Sequence, residues 1–168
     1  WRVLGLFDRA PAPELLEALR KPPVAGLTES VSRDGDWNSA VAGLRDIGLV
    51  EADGPVDAHP LARAYAAERL QSEAPDAWKE AHGRVFDRLC TMAPDEPDTL
   101  AEMEPLLQAV GHGVKAGRGQ EALREVRIRR VLRENESYAT VRLGAMGTLL
   151  SADAAFFESP WDSVARGF

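Results

Sequence analysis

Three histidines and one cysteine are the side chains of this chain best suited to chemistry near neutral pH, and their spacing decides what they can do. His59, His82 and His112 show neither the H-E-x-x-H spacing nor a cysteine partner, so the sequence offers no familiar metal site. Cys90, in VFDRLCTM, shares the helical register of Val85, Phe86 and Leu89, which makes it a buried structural thiol; a lone cysteine forms no intrachain disulfide. Asp34 with Asp36, and Glu102 with Glu104, are paired carboxylates, but side chains two apart on a helix do not face each other and no base or nucleophile pattern joins them. The chain is therefore expected to be non-catalytic, with no catalytic residue, no metal and no cofactor of its own. His59 stands at the most informative place. It immediately precedes Pro60, where the helical pattern PLARAYAAERL begins, so an imidazole and orphan backbone donors meet where an anion could sit. The plainer reading is a histidine that caps and packs the helix start. His82 and His112 fall on or near apolar helix faces and read as core-edge residues.

The elements that must position these residues are mostly helical. PELLEALR, from Pro13, has a proline near its start, acidic residues in its first turn and Arg20 and Lys21 at its end, after which Pro22 and Pro23 stop it. Trp37, Ala40, Val41, Leu44 and Ile47 recur at helical spacing, with Asp36 as N-cap and Gly48 past the end. With the apolar Trp1 segment, this makes a third helix. Two short strand-like pieces, around 49–52 and 55–58, flank Asp53-Gly54, the strongest short-range hairpin signal. Helices followed by a hairpin outline a winged helix over residues 1–72. The helix from Pro60 places Leu61, Ala62, Tyr65, Ala66 and Arg69 on one face. Because the apolar VLGLF begins at Val3, directly after Trp1-Arg2 and with no cap, the chain is expected to be cut from something longer.

Composition bounds the rest. A 168-residue chain with 45% hydrophobic and 28% charged residues is that of a folded globular protein. A net charge of -7 and a pI near 5.0 oppose non-specific attraction to nucleic acid or to an anionic membrane. No apolar run approaches the roughly 20 residues that span a bilayer, and no basic start precedes an apolar signal core, so the expected location is cytoplasmic.

The run LRDIGLVEADGPVDAHPLARAYAAERL resembles the winged-helix domain of a bacterial STAND-class signalling ATPase, the class that includes the NB-ARC and NACHT proteins of apoptosis, plant immunity and bacterial defence. In that class a helix leads through a short hairpin into a Met-His-Asp motif followed by a leucine-bearing helix. His59 matches the motif histidine, Ala58 the methionine position, Pro60 the aspartate position and Leu61 the following leucine. The resemblance implies that His59 contacts the phosphates of ADP or ATP held by a neighbouring nucleotide-binding domain, in the intact protein only. These 168 residues carry no G-x-x-x-x-G-K-[ST] sequence, so no nucleotide affinity is expected of them alone.

Residues 73–168 read as antiparallel helical hairpins resembling tetratricopeptide repeats, the truncated start of an array. Trp78, His82, Val85, Phe86 and Leu89 mark one helix; Leu100, Met103, Leu106, Leu107, Val110 and Val114 mark the next. In VKAGRGQEALREV, Gly117 and Ala122 match the repeat's glycine and alanine, while Gly113 stands where an aromatic is usual. Arg124, Arg127, Arg130 and Arg133 form a basic stripe. It reads first as a solvated helix face, then as a surface that docks on an acidic surface of the same protein, with contact to nucleic acid the less favoured alternative in so acidic a chain. Leu143, Met146, Leu149 and Leu150, then Phe156, Phe157 and Trp161, continue the apolar pattern, and their exposure at the end of an array would favour self-association.

The function expected from these readings is a non-catalytic regulatory and protein-interaction segment that restrains a nucleotide module and couples it to a helical sensor array. Its partners would be that module, further helical repeats and a protein ligand. The alternative is a winged-helix transcriptional regulator with a helical effector domain. Ten acidic against six basic residues over positions 1–60 argue against a DNA-binding face.

Overall fold

The first helix, α1 (Pro13–Arg20), opens on a proline, whose missing N–H costs nothing at a position where no intrahelical acceptor exists. The same device opens α3 (Pro60–Glu73), and α4 (Pro75–Met92) also starts on proline. Between them, α2 (Asp34–Asp46) carries Asp34 and Asp36 in its first turn and Arg45 in its last, in accord with the helix dipole. A computed structural model of the chain describes residues 1–133, 137–159 and 163–164. The chain divides into two compact units, Trp1–Ala81 and His82–Phe168, and the division falls inside α4.

In the first unit the 3-10 helix Arg2–Leu6 lies against α3. Contact is backbone to backbone: a Cβ on Gly5 would stand 2.2 Å from the amide nitrogen of Ala67, so only glycine permits the approach. The buried face of α3 is Arg63, Ala66 and Leu70, while Leu61 and Tyr65 are 74% and 57% exposed, with the Tyr65 ring stacked on Trp1. Leu4, Val50 and Ala58 form a small apolar cluster beside the start of α3, flanked by Leu44, Val56 and Ala62. The segment between α1 and α2 is fixed by buried Thr28, whose hydroxyl donates to Leu19 O at 2.6 Å and accepts from Val24 N–H at 2.7 Å.

The expected β-hairpin around Asp53-Gly54, and with it the winged helix, is not found. Residues 49–58 contain no strand and make one cross-connection, Glu51 N–H to Asp57 O at 3.0 Å. Gly54 does adopt the left-handed turn conformation, φ +86°. The ladder fails because its groups are used otherwise. Pro55 has no N–H to give, and the Arg45 guanidinium takes Glu51 O at 3.1 Å and Gly54 O at 2.8 Å from α2. The fold is mostly α.

The second unit is built on α5 (Leu100–Lys115), which opens with a reciprocal capping box: Thr99 accepts from Glu102 N–H, and the Glu102 carboxylate accepts from Thr99 N–H. Gly117, at φ +78°, ends it. The chain turns through the short α6 (Gly119–Glu121) into a π-helix over Ala122–Val131 that packs back along α5. Gly113 makes this close: a Cβ there would stand 2.8 Å from the Ala122 methyl and 2.9 Å from the Phe86 ring. Then come α7 (Tyr138–Val141), α8 (Met146–Asp153), and a short antiparallel pair, β1 (Phe157–Ser159) and β2 (Ser163–Val164). Trp161 lies outside the described residues. Among those described, no helix is long and apolar enough to cross a membrane.

Candidate functional site

His59 is the N-cap of α3, and its Nδ1 accepts the Leu61 N–H at 3.2 Å. In the neutral ring this fixes the tautomer, since an accepting Nδ1 carries no hydrogen and Nε2 becomes the donor. The ring is exposed. The other amides of the helix start are also committed: Pro60 has none, and Ala62 and Arg63 donate to His59 O at 2.9 and 3.1 Å. An anion arriving here would meet the imidazole Nε2–H and neighbouring guanidinium groups rather than a ring of orphan amides.

Those groups border an open cleft of about 640 Å³, lined by the chain from Gly48 to Ala52, by Asp57 to Pro60, and by Asp8, Arg9, Arg45 and Arg63. Arg63 is buried within the unit, donating Nε to Ala58 O at 2.8 Å and Nη1 to Phe7 O at 3.1 Å while pairing with Asp57. Burial lowers its pKa, and Asp8 and Glu51 act in the opposite direction. Arg45 holds the 51–54 loop as described above. Three arginines and three carboxylates, Asp8, Glu51 and Asp57, thus line the cleft as a balanced charge set. No nucleophile with an adjacent base lines the cleft.

The four arginines of the second unit take different places. Arg124 is exposed. Arg127 makes a bidentate pair with Asp153, at 2.5 and 2.7 Å. Arg130 is buried and donates to Cys90 O, Ala93 O and Pro94 O at 2.9 to 3.0 Å. Arg133 reaches Pro97 O and the Asp98 carboxylate, with its guanidinium 3.6 Å from the centre of the Tyr138 ring. Arg127, Arg130 and Arg133 therefore bind this unit's own loops and helices. Cys90 is half-buried, and burial raises its thiol pKa.

His82 and His112 come together, with Nδ1 atoms 2.8 Å apart and His82 fully buried. Among the described residues no group of three or more His, Cys, Asp or Glu side chains could hold a metal ion. Sequence reasoning missed this pairing because it joins residues on two helices, and it missed the buried, multiply bonded Arg63 and Arg130 because charge alone reads as surface. Comparison of the chain with protein-family models, with curated proteins and with solved structures gives no match.

Proposed function

We propose that this chain is a non-catalytic regulatory and protein-interaction segment of a STAND-type signalling ATPase. It restrains a nucleotide-binding module contributed by the longer protein and couples it to a helical sensor region. The observation that supports this reading is the placement of His59. It caps α3 beside an open cleft lined by three arginines and three carboxylates, with Nδ1 engaged and Nε2 left as the donor, an arrangement that would let the ring touch a phosphate presented from a facing domain. The committed amides of the α3 start mean that this contact is made by side chains. Nucleotide would be ADP or ATP, and the setting cytoplasmic.

The test is made in the intact protein. His59→Ala should speed release of bound ADP by about tenfold or more, consistent with loss of one charge-assisted contact of roughly 1.5–3 kcal/mol, and should raise resting activity. ADP retention and resting activity equal to the unaltered protein would remove the nucleotide-restraining role. His59→Asn, which can cap the helix but presents no Nε2–H, separates the two roles of the ring.

A further inference from the structure

The sequence holds two Asp-Gly pairs, Asp34-Gly35 and Asp53-Gly54, and the fold treats them differently. Glycine puts no side chain beside its amide nitrogen, so that nitrogen can reach the carboxyl carbon of the aspartate before it. Closing the five-membered ring between them needs a rotation about the Asp Cα–C bond and an amide nitrogen that no other bond holds. It also needs a carboxyl group free to take a proton and lose its hydroxyl.

At Asp34-Gly35 the rotation and the free carboxyl are withheld. The pair opens α2, where the rotation would undo the first helical turn. The Asp34 carboxylate is gripped by Arg20 at 2.7 Å and Lys21 at 3.3 Å, whose hydrogen bonds hold its pKa below the ordinary value and keep it charged. Asp53-Gly54 meets no such restraint. Both residues are exposed and lie outside any helix or strand. The Asp53 carboxylate has no partner among the described residues, and the peptide group joining the pair is unbonded there at both its oxygen and its nitrogen. Nothing stands within 4 Å of where a Cβ on Gly54 would be, so the space around the amide is open.

We propose that Asp53-Gly54 is a site of spontaneous isomerisation in the folded chain, with an isoaspartyl residue as its product. The Gly54 nitrogen attacks the side-chain carboxyl carbon of Asp53 and forms a C–N bond; the carboxyl hydroxyl and the amide hydrogen leave as water, giving a cyclic imide. A water molecule then opens the ring. Opening at the side-chain carbonyl restores aspartate. Opening at the main-chain carbonyl leaves the chain running through the side chain, one methylene longer, with the former main-chain carbonyl as a free carboxylate. No oxidant or reductant enters, and the mass of the chain is unchanged. The added methylene falls between the two carbonyls, Glu51 O and Gly54 O, that Arg45 spans, on the loop that borders the cleft. The inference stands apart from the reading of His59.

The full 168-residue chain is aged at neutral pH, folded in buffer and in parallel unfolded in urea, then cut with trypsin. The two pairs fall in separate peptides, 34–45 and 46–63, whose isoaspartyl forms are resolved by reversed-phase chromatography and located by fragmentation in a mass spectrometer. In the folded chain isoaspartate should accumulate at position 53 at least about tenfold faster than at position 34, a barrier difference of about 1.4 kcal/mol. In urea, where neither helix nor ion pair protects Asp34, both pairs should convert. Three results would each overturn the proposal: equal conversion at the two pairs in the folded chain, faster conversion at Asp34, or none at Asp53 while the unfolded chain converts there.

Discussion

The Nδ1 atoms of His82 on α4 and His112 on α5 lie 2.8 Å apart, a distance that requires one hydrogen between them and one lone pair to receive it. Both rings can be neutral in this arrangement; two protonated rings would point N–H against N–H. Burial first, then the charges of His112 and Lys115, hold His82 well below the ordinary imidazole value of 6.5.

Stability should therefore depend on pH with a definite sign. Above pH 6.5 His82 is neutral in the folded and unfolded chain alike, so its contribution is intact. As pH falls below that value the unfolded chain takes up a proton that the folded chain refuses, and stability drops by up to about 1.4 kcal/mol per pH unit until the depressed folded value is reached. Urea unfolding at pH 7.5 and 5.5 measures this, and His82→Leu should flatten the difference. An equally steep dependence in the variant would locate the effect elsewhere.

Two glycines should differ in how much an added methyl costs. At Gly113 the methyl meets the Ala122 and Phe86 side chains, which can shift, so Gly113→Ala should destabilise by about 1–3 kcal/mol. At Gly5 it meets the backbone of Ala66 and Ala67, which cannot rotate away, so Gly5→Ala should cost more. Thermal denaturation of the two variants side by side tests the order.

Arg130 closes the loop after α4 through three carbonyls, at Cys90, Ala93 and Pro94. Arg130→Met should lower stability by about 2–4 kcal/mol, because each acceptor left without a partner costs roughly 1–3 kcal/mol where it stays dry. Arg130→Lys should recover little, since a single ammonium cannot reproduce the planar fork. Chemical denaturation of both variants decides this; full recovery by lysine would mean that charge alone matters.

Arg45 should control the loop that stands where a hairpin was expected. Arg45→Ala frees Glu51 O and Gly54 O, and the Glu51 amide, bonded to Asp57 O, should exchange its hydrogen at least about fivefold faster, equivalent to roughly 1 kcal/mol of local opening. Hydrogen exchange followed by NMR reads this directly, and an unchanged rate would assign the loop's order to its apolar contacts instead.

The apolar spacing of the second half was legible in the sequence: Val85, Phe86 and Leu89, then Met103, Leu106, Leu107 and Val110, are buried along α4 and α5 as their period requires. The α3 face was only partly legible. Leu61, Ala62, Tyr65, Ala66 and Arg69 were grouped on one face, yet of these only Ala66 is buried, together with Arg63 and Leu70, where Gly5 lets another backbone approach. Period cannot rank faces when alanines dominate both.

By itself the sequence determined that the chain is helical, where prolines start its helices, that Gly48, Gly54 and Gly117 turn it, and that His59 stands at a helix start, because these are local properties of backbone and period. Only the tertiary structure decided the rest. Asp-Gly favours a turn, but whether two strands grow from it depends on competing acceptors, and here Arg45 from α2 took the carbonyls. An arginine reads as solvated until distant carbonyls or a distant Asp153 surround it, as with Arg130 and Arg127. Likewise His82 and His112 become a pair only when folding brings their rings together, since hydrogen bonding acts over a few ångströms of space and pays no regard to the thirty positions of sequence that separate them.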